Sequence, residues 1–332
     1  AIANATGLLD TRARAWDGKA LAAAGVASER LSTPVPCSTT RTVTQRQVAT
    51  ALGREESTAI VLASSDGALA NLGTGAVAGD VATLTLGTSG AVRIVNPEPL
   101  LDEHGRTFCY VFDDKHWLIG GPTSSAGAVL EWLFALLLGD VKLENRFERA
   151  AALAAKSVAG ANGLLMLPFL SGERAPYWRG DLRGSLIGLD LAHNENDMLR
   201  AAFEGVVFAI YTVFRVLREL KIDPSAILLS GGLTHAPFVR QLVADIFGIQ
   251  AHLTDRPEAS AFGAAMYAGL AAGVIRSLDE IKASVHTTAT YKPDPAVAGA
   301  YRAAFSRFAE RVSDEVARLD RPGLKSPKIP AD

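Results

Sequence analysis

One stretch, Thr58 to Gly90, limits the folds open to this chain more than any other. It reads TAIVLASSDGALANLGTGAVAGDVATLTLGTSG. An apolar, β-branched run, Ala59-Ile60-Val61-Leu62, has the make-up of a buried strand and stops at Ser64-Ser65-Asp66-Gly67. A second strand pattern, Val81 to Leu86, stops at Gly87-Thr88-Ser89-Gly90. Both strands end in small polar turns, and one turn carries a lone carboxylate. Crevices at strand ends are where open α/β sheets bind ligands. A carboxylate there can accept a proton, and a Gly-Thr-Ser-Gly turn can offer N–H groups and hydroxyls to phosphate. Residues 66–74 read as a short helix, so Asp66 has a second reading as its N-cap, where negative charge is favourable.

The rest of the chain alternates strand and helix patterns. Strands are expected at 81–86, 90–95 and 107–112, the last pairing with 116–119 over Asp113-Asp114-Lys115. Helices follow at 125–138 and 143–157, and the apolar run Leu164 to Leu170 leads into SGERAPYW. A long amphipathic helix spans 195–220. Then come strand Ala226 to Leu229, turn Ser230-Gly231-Gly232, helix 236–247, strand 250–253 and helix 258–273. Upstream, Trp16 to Gly25 is helix-like and Leu31 to Thr40 is loop. Downstream, helices near 277–284 and 297–319 precede a frayed tail from Arg321. With an insertion around 140–195 set aside, the order is β-β-β-α-β-α-β-α, that of a ribonuclease-H-like unit. The expected fold class is α/β, an actin-like ATPase (ribonuclease-H-like) fold, with a mixed sheet flanked by helices.

Composition narrows the functional classes. The 33 basic and 35 acidic residues give no bias toward nucleic acid or an anionic membrane. No apolar run reaches the ~18 residues of a membrane span, since Glu131 and Glu204 interrupt the longest candidates. Cys37 and Cys109 are far apart and form no C-x-x-C pair, which suits a reducing, cytoplasmic setting. Gly73-Thr74-Gly75-Ala76-Val77-Ala78 fits a loose dinucleotide fingerprint, but it does not directly follow a strand. A P-loop and a G-x-S-x-G elbow are both absent. Ser230-Gly231-Gly232 reads either as an ordinary βα turn or as a place where a planar ligand or phosphate approaches the backbone. Glu204, in an apolar helix, reads as a buried, paired structural carboxylate.

These motifs together resemble the FGGY family of carbohydrate kinases. Gly184-Ser185-Leu186-Ile187-Gly188-Leu189, then Asp197-Met198, then Ala201-Ala202-Phe203-Glu204, fit the second family signature at every position. The resemblance runs from Ala3 to about Gly273. Within the family, Phe108-Cys109-Tyr110, Trp117 to Pro122, Gly172-Glu173-Arg174-Ala175-Pro176 and Glu204 to Phe208 look most like gluconate kinases.

The resemblance implies roles for particular residues. Asp66 falls on the catalytic base and, with Gly67, on the sugar side. Thr88, between Gly87 and Ser89, falls on the threonine that meets the ATP phosphates. Gly127 falls on a nucleotide-contacting glycine, with Glu131 one turn later. Gly231 and Gly232 fall on the adenosine motif, and Ala236 stands where many members have Ser or Asn. The implied activity is ATP-dependent phosphorylation of a sugar or sugar acid, most closely D-gluconate to 6-phosphogluconate. ATP and Mg²⁺ are expected, with no Mg²⁺ ligands assignable. A xylulose- or glycerol-type kinase and a non-catalytic nucleotide-binding protein are the alternatives. No nucleic-acid or membrane partner is implied, and a homodimer is allowed. The family's opening Asp-x-Gly-Thr turn has no counterpart before Asp66. The expected division is therefore 1–80 as the end of the sugar-binding domain, 81–275 as the nucleotide-binding domain, and 276–332 as C-terminal helices and tail. By that reading the chain starts part-way through the family pattern and is slow or inactive alone.

Overall fold

The computed structural model describes residues 2–42, 45–256 and 258–320. The expected tail from Arg321 lies outside the described residues. Its centre is a seven-stranded mixed sheet: β1 (Val81–Leu86), β2 (Gly90–Asn96), β3 (Phe108–Val111), β4 (Trp117–Thr123), β5 (Ala226–Ser230), β6 (Gln250–Thr254) and β7 (Thr287–Tyr291). Their spatial order is β7-β6-β5-β1-β2-β4-β3. β5 lies parallel to both β1 and β6, while the hairpins β1–β2 and β3–β4 and the edge strand β7 run antiparallel. Leu86 pairs with Gly90 and Gly90 with Thr123, so β1, β4 and β5 all finish at one edge of the sheet.

Seven longer helices cover the two faces: α1 (Asp66–Gly73), α2 (Gly127–Leu137), α3 (Leu143–Ala154), α4 (Glu195–Glu219), α5 (Pro237–Phe247), α6 (Ala259–Ala271) and α7 (Ala298–Leu319). The larger core lies on the α4 side, where Ala82, Leu84 and Leu86 of β1 alternate inward against Phe203, Phe208 and Phe214. The opposite face is smaller. Val95 and Leu118 meet Ala68 and Leu72 of α1 and Tyr267 of α6 there. Because β1 is covered on both sides, even its Thr83 is fully buried, and the hydroxyl bonds Thr74 Oγ1 at 3.2 Å.

The sequence does not single out β7. It was expected to lie in a stretch of helices and tail, but it extends the central sheet through antiparallel pairing with β6. Its threonine-rich sequence, TTATY, is mostly exposed and lacks an apolar alternation. Tyr301, Phe308 and Val312 of α7 are likewise buried in the larger core. Both β7 and α7 thus pack with the central sheet. Residues 2–61 add short helices and two small strand pairs, Leu9–Asp10 with Ala15–Trp16 and Thr40–Thr42 with Ala59–Val61. Cys37 and Cys109 are both buried and no disulfide joins them.

Candidate active site

The site is assembled at the edge where β1, β4 and β5 finish. The β1–β2 turn is closed by the Gly87 N–H donating to the Ser89 carbonyl at 2.9 Å. The N-terminus of α2 docks on this turn: Gly127 N–H donates to the Gly87 carbonyl at 2.9 Å and Ala128 N–H to the Thr88 carbonyl at 3.1 Å. A Cβ at Gly127 would stand 2.6 Å from the Gly87 oxygen, so only glycine lets the helix approach this closely. Those two N–H groups are therefore spent on the turn, which leaves Thr88 and Ser89 exposed. Glu131 is exposed on the same stripe of α2 as Ala128.

The two glycines after β5 are not equivalent. Gly231 has φ +91°, and a Cβ there would sit 2.5 Å from the Leu86 carbonyl oxygen. The packing of β5 on β1 alone accounts for it. Gly232 has no protein atom within 4 Å of an added Cβ, so its backbone faces open space. Ala236 is buried in the larger core and caps α5 without a side-chain bond. Thr88, Gly127, Gly231 and Gly232 thus come together at one sheet edge, whereas Ala236 turns its methyl inward.

Asp66 begins α1, but it is not the cap. Ser65 holds that place, with its Oγ accepting the Ala68 N–H at 3.4 Å. The N-cap reading of Asp66 is corrected accordingly: it is the first helical residue. Its carboxylate is exposed and accepts the Gly67 N–H at 2.7 Å, while Ser260 Oγ of α6 donates to its carbonyl at 3.3 Å. The Gly73–Ala78 fingerprint falls at the end of α1, where a Cβ on Gly73 would lie 1.8 Å from the Ala259 carbonyl oxygen. Its glycine serves a helix crossing, not a dinucleotide.

Two arginines that the sequence reading left unassigned lie at this sheet edge, Arg93 beneath Gly67 and Arg174 against β4. Arg93 of β2 reaches under the first turn of α1, and its Nη1 donates to Thr85 Oγ1 at 3.1 Å. Thr85 in turn meets Ser230 Oγ at 2.9 Å. Arg174 donates from Nη2 to the Thr123 carbonyl at 2.7 Å. Burial lowers the Arg93 pKa, the Asp66 charge raises it, and the Arg174 charge lowers it. Glu173, buried against the end of β4, accepts from Thr123 Oγ1 and Ser124 N–H, each at 2.6 Å, and from Arg174 N–H at 2.7 Å. The phrase Gly172-Glu173-Arg174 was visible in the sequence, but its meeting with β4 was not.

The most specific sequence signature turns out to be structural. Asp197 completes a capping box with Asn194 at the start of α4. A Cβ at Gly205 would lie 2.4 Å from the Met166 carbonyl oxygen. Glu204 accepts from Arg200 Nε at 2.7 Å and Gly160 N–H at 3.0 Å. Burial pushes its carboxyl above the usual carboxylate range, against the pull of Arg200. The paired structural reading of Glu204 is what the packing shows.

A mixed sheet with this order, carrying an exposed polar turn and an open glycine at the ends of adjacent parallel strands, defines an α/β protein of actin-like ATPase fold. Residues 82–272 match the family model described as "FGGY family of carbohydrate kinases, C-terminal domain". The chain belongs to the FGGY family of carbohydrate kinases. It is 36% identical over 310 residues to a gluconokinase of Bacillus subtilis (strain 168), covering 91% of this chain and 60% of that relative. It is 31% identical over 247 residues to a xylulose kinase of Staphylococcus epidermidis (strain ATCC 35984 / DSM 28319 / BCRC 17069 / CCUG 31568 / BM 3577 / RP62A), covering 73% of this chain and 49% of the relative. The chain spans about 60% of the length of the gluconokinases it matches. The solved gluconate kinase from Lactobacillus acidophilus superposes with a TM-score of 0.87 at 31% identity, over 94% of this chain and 63% of that one. A Plasmodium falciparum glycerol kinase solved with ADP, at 22% identity and a TM-score of 0.76, shares the fold over 92% of this chain and 61% of that one.

Proposed function

We propose that this chain carries the nucleotide-binding part and the catalytic base of an ATP-dependent sugar-acid kinase acting on D-gluconate to give 6-phosphogluconate. The observation that carries the reading is the placement of Arg93, bonded to Thr85 two residues before the Gly87-Thr88 turn, directly beneath Gly67 and so beside Asp66. The gluconokinase relatives support the choice of acceptor. In this reading residues 81–275, together with β7 and α7, hold the nucleotide, and residues 1–80 supply the acceptor side. The exposed Thr88–Ser89 turn takes the ATP phosphates, the adenosine lies along Gly232, and Glu131 faces the nucleotide from α2. Asp66 accepts the proton of the attacking hydroxyl.

The residues fit a nucleotide better than they fit a fixed metal. Gly232 offers a surface that no side chain fills. Among the described residues, no group of three or more His, Cys, Asp or Glu side chains could hold a metal ion. Mg²⁺ in such a site would be held chiefly by the ATP phosphates and water, with at most one or two carboxylates from the protein. Among the described residues, no helix is long and apolar enough to cross a membrane.

The test is phosphoryl transfer by the complete gene product, with gluconate, xylulose and glycerol compared at equal concentration. The highest kcat/KM is expected on gluconate. Preference for xylulose would move the assignment to the other branch of the family, and transfer to none of the three would remove the kinase reading.

A further inference from the structure

Arg93 stands in an unusual electrostatic setting. A Cβ on Gly67 would fall 2.9 Å from its Nε, so the guanidinium lies directly beneath the turn that bears Asp66. Its recorded hydrogen bond is to a neutral hydroxyl, Thr85 Oγ1. The recorded side-chain bond of Arg174 is to a neutral carbonyl, at Thr123. The nearby Glu173 carboxylate is occupied by Thr123, Ser124 and the Arg174 backbone. Arg93 is thus a partly buried cation bonded to a neutral hydroxyl, with the exposed carboxylate of Asp66 next to the Gly67 that lies over it and the Arg174 charge in its vicinity. An excess of positive charge in a partly desolvated place is costly unless an anion is received there.

We propose that Arg93, backed by Arg174, binds the anionic oxygens of the phosphoryl group as it passes from ATP to the acceptor hydroxyl. The inference rests on the kinase reading above. A carboxylate on the acceptor offers the same anionic-oxygen chemistry, but the position favours the phosphoryl group. Arg93 bridges the Asp66 turn and Thr85, two residues before the Gly87 turn. In a six-carbon sugar acid phosphorylated at its terminal hydroxyl, the carboxylate lies at the far end from the oxygen that Asp66 serves. In the transfer, the acceptor oxygen bonds to the γ-phosphorus while the bond from that phosphorus to the β,γ-bridging oxygen breaks, releasing ADP. The hydroxyl proton passes to Asp66. Arg93 keeps its protons and offsets charge on the equatorial oxygens, as preorganised donors do in phosphoryl transfer.

The experiment compares Arg93→Met and Arg93→Lys with the wild type on gluconate and on glucitol, its uncharged polyol counterpart. The Met variant is expected to lose ~10²–10³-fold in kcat on every acceptor that the wild type phosphorylates, with the gluconate KM little changed. The Lys variant recovers part of that loss. A second measurement needs no acceptor: calorimetry of ADP and Mg²⁺ with and without aluminium fluoride, a mimic of the phosphoryl group in transit. The wild type should bind ADP more tightly with the fluoride, and the Met variant should lose this gain while binding ADP alone as before. Failure of all sugar transfer would sink the kinase reading yet leave this second arm decisive. A loss confined to the gluconate KM would assign Arg93 to the acceptor carboxylate and overturn the proposal. So would an absent fluoride gain in the wild type, or an undiminished one in the Met variant. If the Met variant does not fold, the Lys variant and Arg174→Met carry the same comparison.

Discussion

Ser65 and Asp66 are neighbours with separable tasks. Ser65 satisfies an open N–H at the start of α1, and Asp66 leaves its carboxylate exposed next to Gly67, under which Arg93 lies. Asp66→Asn keeps the cap, so its melting temperature should stay near the wild-type value. Its kcat in the complete gene product should fall at least ~10²-fold, with ATP affinity little changed. Ser65→Ala should do the reverse. It costs stability toward the low end of the ~0.5–2 kcal/mol range for caps, because the 3.4 Å bond is long. Thermal unfolding and turnover measured on both variants separate the two tasks. Near-wild-type turnover in Asp66→Asn would reduce its carboxylate to a favourable charge at a helix start.

At the scale of elements, the position of Asp66 depends on how α1 crosses α6. Gly73 and Gly263 let the backbones touch: a Cβ on Gly263 would lie 1.9 Å from the Leu69 carbonyl oxygen. Gly263→Ala must push the helices apart, costing ~1–3 kcal/mol by overpacking and displacing the α1 start that carries Asp66. A drop in melting temperature together with a drop in kcat is expected. Gly299→Ala in α7, where an added Cβ meets nothing within 4 Å, serves as the control and should not destabilise. Unchanged stability in Gly263→Ala would mean that α1 is not held by this crossing. The elements themselves were largely legible, because β1, β5 and α4 carry strong periodic patterns and clear turn residues. The edge strand β7 was not, since an exposed threonine-rich strand has no apolar alternation to reveal it. Arg93 was missed for another reason. It looks like one polar residue in a β-strand until the register sets it across from Gly120 and under Gly67. The signature Gly184–Glu204 identified the family; in the fold its Ser185–Ile187 forms a small strand and its Asp197 and Glu204 cap and pair along α4.

At the scale of the whole molecule, the proposed nucleotide platform depends on strands distant in sequence ending side by side. Ser230 of β5 pairs with Thr85 of β1, and α2 closes on the turn that follows β1. The chain should therefore bind ADP in its folded state and gain stability from it. Binding to the folded state alone contributes about 1.4 kcal/mol when the ligand is at ten times its Kd, which is readable as a rise in melting temperature. The buried Ala236 makes no side-chain cap bond, so affinity should be modest, with saturation reached in the millimolar range. The two adjacent glycines then distinguish a ligand surface from a packing constraint. Gly231→Ala drives a Cβ into Leu86 at a positive φ and should lower the melting temperature of the ligand-free protein. Gly232→Val adds its side chain to open space, so the ligand-free melting temperature should hold while the ADP-induced rise disappears. A Gly232→Val protein that keeps the full rise would place the nucleotide elsewhere, and a wild type that shows none at millimolar ADP would leave both glycines as turn residues.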